Sequence, residues 1–163
     1  RTAFHELGHA LISKLYFPQS QIQRITISAE GNGTFGYVRH SGYGVGNKTA
    51  TDLKKIICVN MAGIAAEEVF LQEYGNGGTS DLKNATNIAF NMLSFYGMSE
   101  KGFVYKNRTD EELIIEANKI LSEQFEIAKT IIIKYRNQLE KIKEYLIKNK
   151  EISEEEFERF IKK

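Results

Sequence analysis

Cysteine is almost missing from this chain of 163 residues: Cys58 is the single one, so no intrachain disulfide can staple the fold. It sits in an apolar stretch, Ile56-Ile57-Cys58-Val59, where packing accounts for it, and such sparing use of thiols leans toward the cytosol. Proline occurs once, at Pro18, which argues against long disordered segments. Neither sign of charge is in surplus. Lysine and arginine number 22 against 21 acids, so the chain offers no electrostatic footprint for nucleic acid or anionic lipid, and a helical nucleic-acid-binding domain would lack its basic stripe. No run approaches the roughly 18 apolar residues of a membrane-spanning helix. Nothing at the start resembles a signal peptide. No glycine loop ends in Lys-Ser or Lys-Thr, so the chain by itself cannot bind ATP in the P-loop manner.

What is present is the balance of a globular protein, 42% hydrophobic and 26% charged, at a length that fits one domain with a core of its own. The chain opens on Arg1, and a motif that needs a helix around it begins four residues later. The expectation is therefore a fragment of a longer protein, with residues 1–163 forming one domain.

Periodicity predicts a mainly α fold, α-rich α+β, with a small β-element near residues 22–38. Ala3, Phe4, Leu7, Leu11, Ile12 and Leu15 have helical spacing over 3–16. Ile22, Ile25 and Ile27, the turn Gly31-Asn32-Gly33, and then Thr34, Phe35, Tyr37 and Val38 suggest two strands joined by a loop. The stretch from His40 to Thr51, with Gly42, Gly44 and Gly46, reads as a mobile loop. A second helix is expected from about Thr51 to Glu73, burying Leu53, Ile56, Ile57, Met61, Ile64, Ala65 and Val69, and a third from Ser80 or Asp81 to Tyr96, stopped by Gly97. Residues 98–109 read as irregular. In the C-terminal third Leu121, Phe125, Ala128, Ile132, Tyr135, Leu139, Ile142 and Leu146 alternate four and three apart, an apolar seam over one helix or two, better used to pack the chain's own core than to recruit a coiled-coil partner. Ser153 with Glu156 is a capping-box signature for a short last helix.

The informative pentapeptide is His5-Glu6-Leu7-Gly8-His9. Histidines four apart on a helix share one face, so both imidazoles can reach one metal ion. Zinc is the natural occupant, because it takes neutral imidazole nitrogens and can keep a coordination position open for water. Glu6 is then expected on the open side as general base, taking a proton from water and handing it to the departing amine of a peptide bond. A chance match in a chain of this length is on the order of one in hundreds at ordinary residue frequencies. A third ligand must come from elsewhere. Ile12 and Leu15 stand where a metzincin would carry glycine and a third histidine, which points to a distant carboxylate: Glu67 or Glu68 on the second helix, or Asp81 at the start of the third. His40 reads as a solvated loop residue, and the strand around Phe35 to Val38 serves equally as a core hairpin or as an edge for an extended peptide.

Across nearly its whole length the chain resembles the FtsH family of ATP-dependent zinc metalloproteases. The likeness rests on the pentapeptide, on Ile25-Thr26-Ile27 with Phe35-Gly36-Tyr37, and on Ala62-Gly63-Ile64-Ala65-Ala66-Glu67-Glu68. It continues in Gly78-Thr79-Ser80-Asp81-Leu82 with Ala85-Thr86, in Gly97-Met98-Ser99-Glu100, and in the tail ending Glu155-Glu156-Phe157. The chain departs from the family at Ala62-Gly63-Ile64, where a glycine pair and arginine are usual, at Ser80 in place of asparagine, and in the composition of the 41–51 loop. The resemblance implies a helical zincin-like peptidase domain with one zinc ion per chain held by His5, His9 and Asp81; Glu67 and Glu68 are then left either to orient an imidazole, Glu67 ahead of Glu68, or to stand as plain surface acids. It further implies an AAA ATPase module, the only route to ATP, and a membrane anchor upstream. It also implies a homo-hexamer, unfolded cytosolic and membrane proteins as substrates, and a place on the cytoplasmic face of a bacterial inner membrane or on an organelle membrane. Two other functions remain open on the residues alone: a non-enzymatic assembly module clamped by zinc, and a free-standing regulatory metalloprotease without an ATPase.

Overall fold

The computed structural model describes residues 1–19, 22–27, 37–40, 46–103, 105 and 108–162, with 22–24 and 37–40 described as backbone. In chain order the elements are α1 (Thr2–Tyr16), β1 (Ile22–Thr26), β2 (Tyr37–His40), α2 (Ala50–Leu71), a 3-10 turn (Asn76–Gly78), α3 (Thr79–Ser94), α4 (Asp110–Lys134), α5 (Arg136–Asn149), β3 (Glu151–Ile152) and α6 (Glu154–Ile161). The fold is α-rich with one small antiparallel sheet of order β2-β1-β3.

α2 is the axis of the molecule, packed against α1, α3 and α4. From Ile56 to Glu67 every residue except Asn60 is buried. This corrects the one-sided stripe expected from periodicity: Leu53 and Val69 are only half-buried, while Cys58, Val59, Ala62, Gly63 and Ala66 are buried as well. A helix enclosed on three sides has no solvent face over that stretch, and its small residues let its neighbours come close. Contact is tightest at the α1 crossing, where a Cβ placed on Gly8 would stand 2.4 Å from the Ala62 carbonyl oxygen. The position where the family usually has glycine is thus an alanine whose carbonyl faces a glycine of the partner helix.

The start of α2 corrects the expected loop. Thr49 accepts a hydrogen bond from the Asp52 N–H while the Asp52 carboxylate takes the Thr49 N–H, so the helix begins at Ala50, and His40 belongs to β2. The same reciprocal cap starts α4 at Thr109 with Glu112 and α6 at Ser153 with Glu156. α2 stops at Leu71, with Gln72 in the left-handed region at φ 60°. α3 stops at Ser94, followed by Gly97 at φ 63°, which lets the Met98 N–H turn back to the Met92 carbonyl at 3.0 Å.

The C-terminal seam spans two helices meeting at Tyr135, and its Ala128, Ile132, Leu139, Ile142 and Leu146 are wholly enclosed by the chain's own core with Leu7, Leu11, Ile25 and Phe157. A second cluster joins Ile57 and Met61 of α2 to Ala85, Ala89, Met92 and Leu93 of α3 and Ala117 and Ile120 of α4. β3 has no counterpart among the expected elements: two residues are too few for a sequence period, yet Ile152 pairs with Ile25, and the Lys150 carbonyl accepts the Ile27 N–H at 3.0 Å. The expected turn Gly31-Asn32-Gly33, Thr34, Phe35 and residues 41–45 of the expected loop lie outside the described residues. Among those described, no helix is long and apolar enough to cross a membrane.

Candidate metal centre

α1 carries the buried His5 and Glu6 and the half-buried His9, and α3 brings Asp81 to them in its first turn. His5 Nε2 lies 3.1 Å from Asp81 Oδ2 and 3.1 Å from His9 Nε2, and His9 Nε2 lies 3.4 Å from the same Asp81 oxygen. These three atoms belong to the one group of metal-ligating side chains gathered among the described residues. Tetrahedral zinc with bonds of about 2.0–2.2 Å sets its ligand atoms about 3.3–3.5 Å apart, so the triangle is close to that size. The donor set, two imidazole nitrogens and one carboxylate oxygen, suits the same ion and leaves a fourth position.

The other nitrogen of each ring decides which atom faces the centre. His9 Nδ1 meets the Val59 carbonyl oxygen at 2.7 Å, and a carbonyl can only accept, so the proton sits on Nδ1 and the Nε2 lone pair points inward. His5 Nδ1 meets Glu67 Oε1 at 2.8 Å and is oriented the same way by a carboxylate. Glu67 is 2% exposed. Its Oε2 accepts from Arg1 Nη1 at 2.6 Å and from the Gly75 N–H at 2.9 Å, while Arg1 also reaches the Glu73 carboxylate at 2.7 Å. Of the three carboxylates open to choice in the sequence, Asp81 is therefore beside both imidazole tips and Glu67 is behind one ring, and the half-buried Glu68 is outside the group. Glu6 is 8% exposed.

The electrostatics favour positive charge at the centre. Burial alone would lower the His5 pKa, but hydrogen bonds to Asp81 and Glu67, helped by the nearby Glu6 charge, raise it above its ordinary value. Burial alone would raise the Asp81 pKa, and hydrogen bonds from His5 and His9 instead hold it well below the usual carboxylate range. Glu67 is likewise lowered, its desolvation outweighed by Arg1, the Gly75 N–H and His5. A dication held by neutral imidazoles would meet the same field of carboxylates.

Sequence reasoning passed over three contributors. The Val59 carbonyl and the Gly75 N–H are backbone groups whose role no residue type announces. Arg1 gives a charge and nothing more until its partners are known.

A mostly helical domain that sets an HExxH helix against a distant aspartate has the build of a zinc-dependent peptidase of the type with an acidic third ligand. The sequence profile of peptidase family M41 matches residues 1–117, and the chain belongs to that family. It is 31% identical, over 99% of its length, to the ATP-dependent zinc metalloprotease FtsH 3 of Petrotoga mobilis, of which it covers 28%. It is 34% identical over 96% of its length to FtsH 2 of a Thermoanaerobacter species, covering 31% of that protein, and 31% identical over 98% to FtsH of Thermotoga maritima, covering 30%. The chain thus spans less than a third of the length of these curated relatives.

Proposed function

We propose that residues 1–163 form one peptidase domain that hydrolyses peptide bonds with zinc, as part of a longer ATP-dependent protease. The observation that carries this is the triangle of His5 Nε2, His9 Nε2 and Asp81 Oδ2, with both rings turned inward by partners on α2. His5, His9 and Asp81 hold the ion, one per chain. Zinc held there supplies Lewis acidity, polarising the substrate carbonyl and bringing the ionisation of water near neutral pH. Glu6, next to His5 on the same helix, takes the proton from the attacking water and passes it to the departing amine. Val59 and Glu67 keep the imidazoles neutral at Nε2 and correctly aimed, and burial of the cluster strengthens each charge interaction.

The wider reading rests on the relatives. Their names couple zinc proteolysis to ATP, and this chain has no P-loop motif, so the energy-using module belongs to another part of the protein. The family resemblance, rather than the relatives' names, supports the rest of the reading: unfolded polypeptides as substrates, a homo-hexamer as the working form, and a place on the cytoplasmic face of a bacterial inner membrane or on an organelle membrane.

The test is zinc content measured with casein cleavage for the wild type, Glu6→Gln and Asp81→Ala. One zinc per chain, cleavage lost in Glu6→Gln with zinc retained, and zinc weakened in Asp81→Ala are the expected results. Full zinc in Asp81→Ala would remove it from the ligand set, and a wild type that never takes up zinc would end the peptidase reading.

A further inference from the structure

We infer that Gly63 is a positioning residue for the metal centre: the side chain it lacks leaves the space in which both imidazole tips meet. The inference rests on the reading of His5 and His9 as ligands and adds a requirement that no ligand side chain expresses. A Cβ on Gly63 would stand 2.5 Å from His5 Nε2, 2.6 Å from His5 Cε1 and 2.6 Å from His9 Nε2, far inside the 3.5–4.0 Å at which non-bonded heavy atoms rest. The contacted nitrogens are the two whose lone pairs face the centre.

Val59, Gly63 and Glu67 follow one another at intervals of four and so line one face of α2. His9 hydrogen-bonds to Val59 at one end of this row and His5 to Glu67 at the other, so the row runs antiparallel to the His5–His9 pair on α1. Each ring is held at Nδ1 by an end of the row and given room at Nε2 by its middle. α1 and α2 are closely packed here, since a Cβ built on Gly8 would stand 2.4 Å from the Ala62 carbonyl oxygen and 2.8 Å from the Ala66 Cβ, so moving the helices apart to make space would give up that packing. A methyl group at position 63 must therefore be accommodated by the rings. They turn, and either the bonds at Nδ1 break or the Nε2 atoms leave the triangle. The rings are side-chain ends, so the fold survives this displacement and the metal geometry does not.

The experiment is a cycle of Gly63→Ala made in the wild-type protein and in a His5→Ala/His9→Ala background, read by metal binding and by thermal unfolding without metal. Gly63→Ala alone is expected to weaken zinc, measured by competition with a chromophoric chelator, more than tenfold, and to change or abolish the visible absorption of bound Co(II). Its metal-free Tm stays level or falls slightly. In the background without imidazoles the clash is gone and alanine is the better helix former, so the same substitution should raise the metal-free Tm by about 2–4 °C. Wild-type zinc affinity and Co(II) spectrum in Gly63→Ala would overturn the inference. So would an equal loss of Tm in both backgrounds, which would make Gly63 a packing residue with no bearing on the rings. A wild type that binds no metal would overturn the ligand reading instead, and the unfolding arms would still decide whether Gly63 makes room for the imidazoles.

Discussion

The candidate metal end of the molecule and its C-terminal end are built on opposite terms. Where α1, α2 and α3 meet, glycine and alanine bring backbones together, and the buried space goes to polar groups: His5, Glu6 and Glu67 are each at or below 9% exposed. Where α5, β3 and α6 meet, large apolar side chains fill the space, with Leu139, Ile142, Leu146 and Phe157 fully enclosed, and the polar contacts lie outside, as in the pair of Lys14 with Glu158. The first region is specified by hydrogen bonds that cannot be traded, and by what is left out. The second is specified by volume, which hydrophobic burial rewards at roughly 25 cal/mol per Å2 and tolerates in more than one arrangement.

Damage in the two regions should accordingly appear in different measurements. The largest effect is Phe157→Ala, a void in the C-terminal core expected to cost about 3–5 kcal/mol in denaturant unfolding, with zinc affinity unchanged wherever the protein is still folded. A drop in zinc affinity in that variant would erase the contrast. Next, Glu67→Ala leaves the His5 Nδ1–H without its acceptor and should weaken zinc about 10–100-fold by chelator competition, while the C-terminal cluster keeps its hydrogen-exchange protection. Ser153→Ala removes the reciprocal cap of α6 and should cost about 1 kcal/mol, read as a lower unfolding midpoint with cleavage intact.

The smallest effect is a pH dependence. Glu158, beside Lys14 and Lys162, has its pKa lowered to about 2. A depressed folded-state value means that this contribution is fully present above the unfolded pKa of about 4.3, and it fades as the pH falls toward 2. Acid titration of Glu158→Gln should lack that loss. High salt should shrink it in the wild type, since the pair is partly exposed.

What could be read from the chain and what could not follows the range of the interactions. The pentapeptide, the seam of α4 and α5 and the Ser153 cap are local patterns, and helical geometry alone puts His5 and His9 on one face. The Thr49 and Thr109 caps carried the same signature and were as legible, but Thr49 lay inside a stretch read as loop because glycines just before it dominated the composition. β3 was hidden because a two-residue strand has no period. α2 was misjudged because burial on three sides is a property of its neighbours rather than of its own order of residues.

By itself the sequence determined that two imidazoles and Glu6 share one helix and that the chain is mostly helical, and it pointed to a distant carboxylate as their partner. Spacing left the choice among the carboxylates open and the family resemblance implied Asp81, but only tertiary structure shows where each of them lies. It laid Asp81 against both Nε2 atoms across 76 and 72 positions of chain and set Glu67 behind His5. It also enlisted a carbonyl at Val59 and an empty space at Gly63, which no side chain encodes. The reason is physical: spacing along a helix fixes neighbours within a turn or two, whereas a ligand triangle a few ångströms across depends on how closely separate helices approach, and that is settled only when they pack.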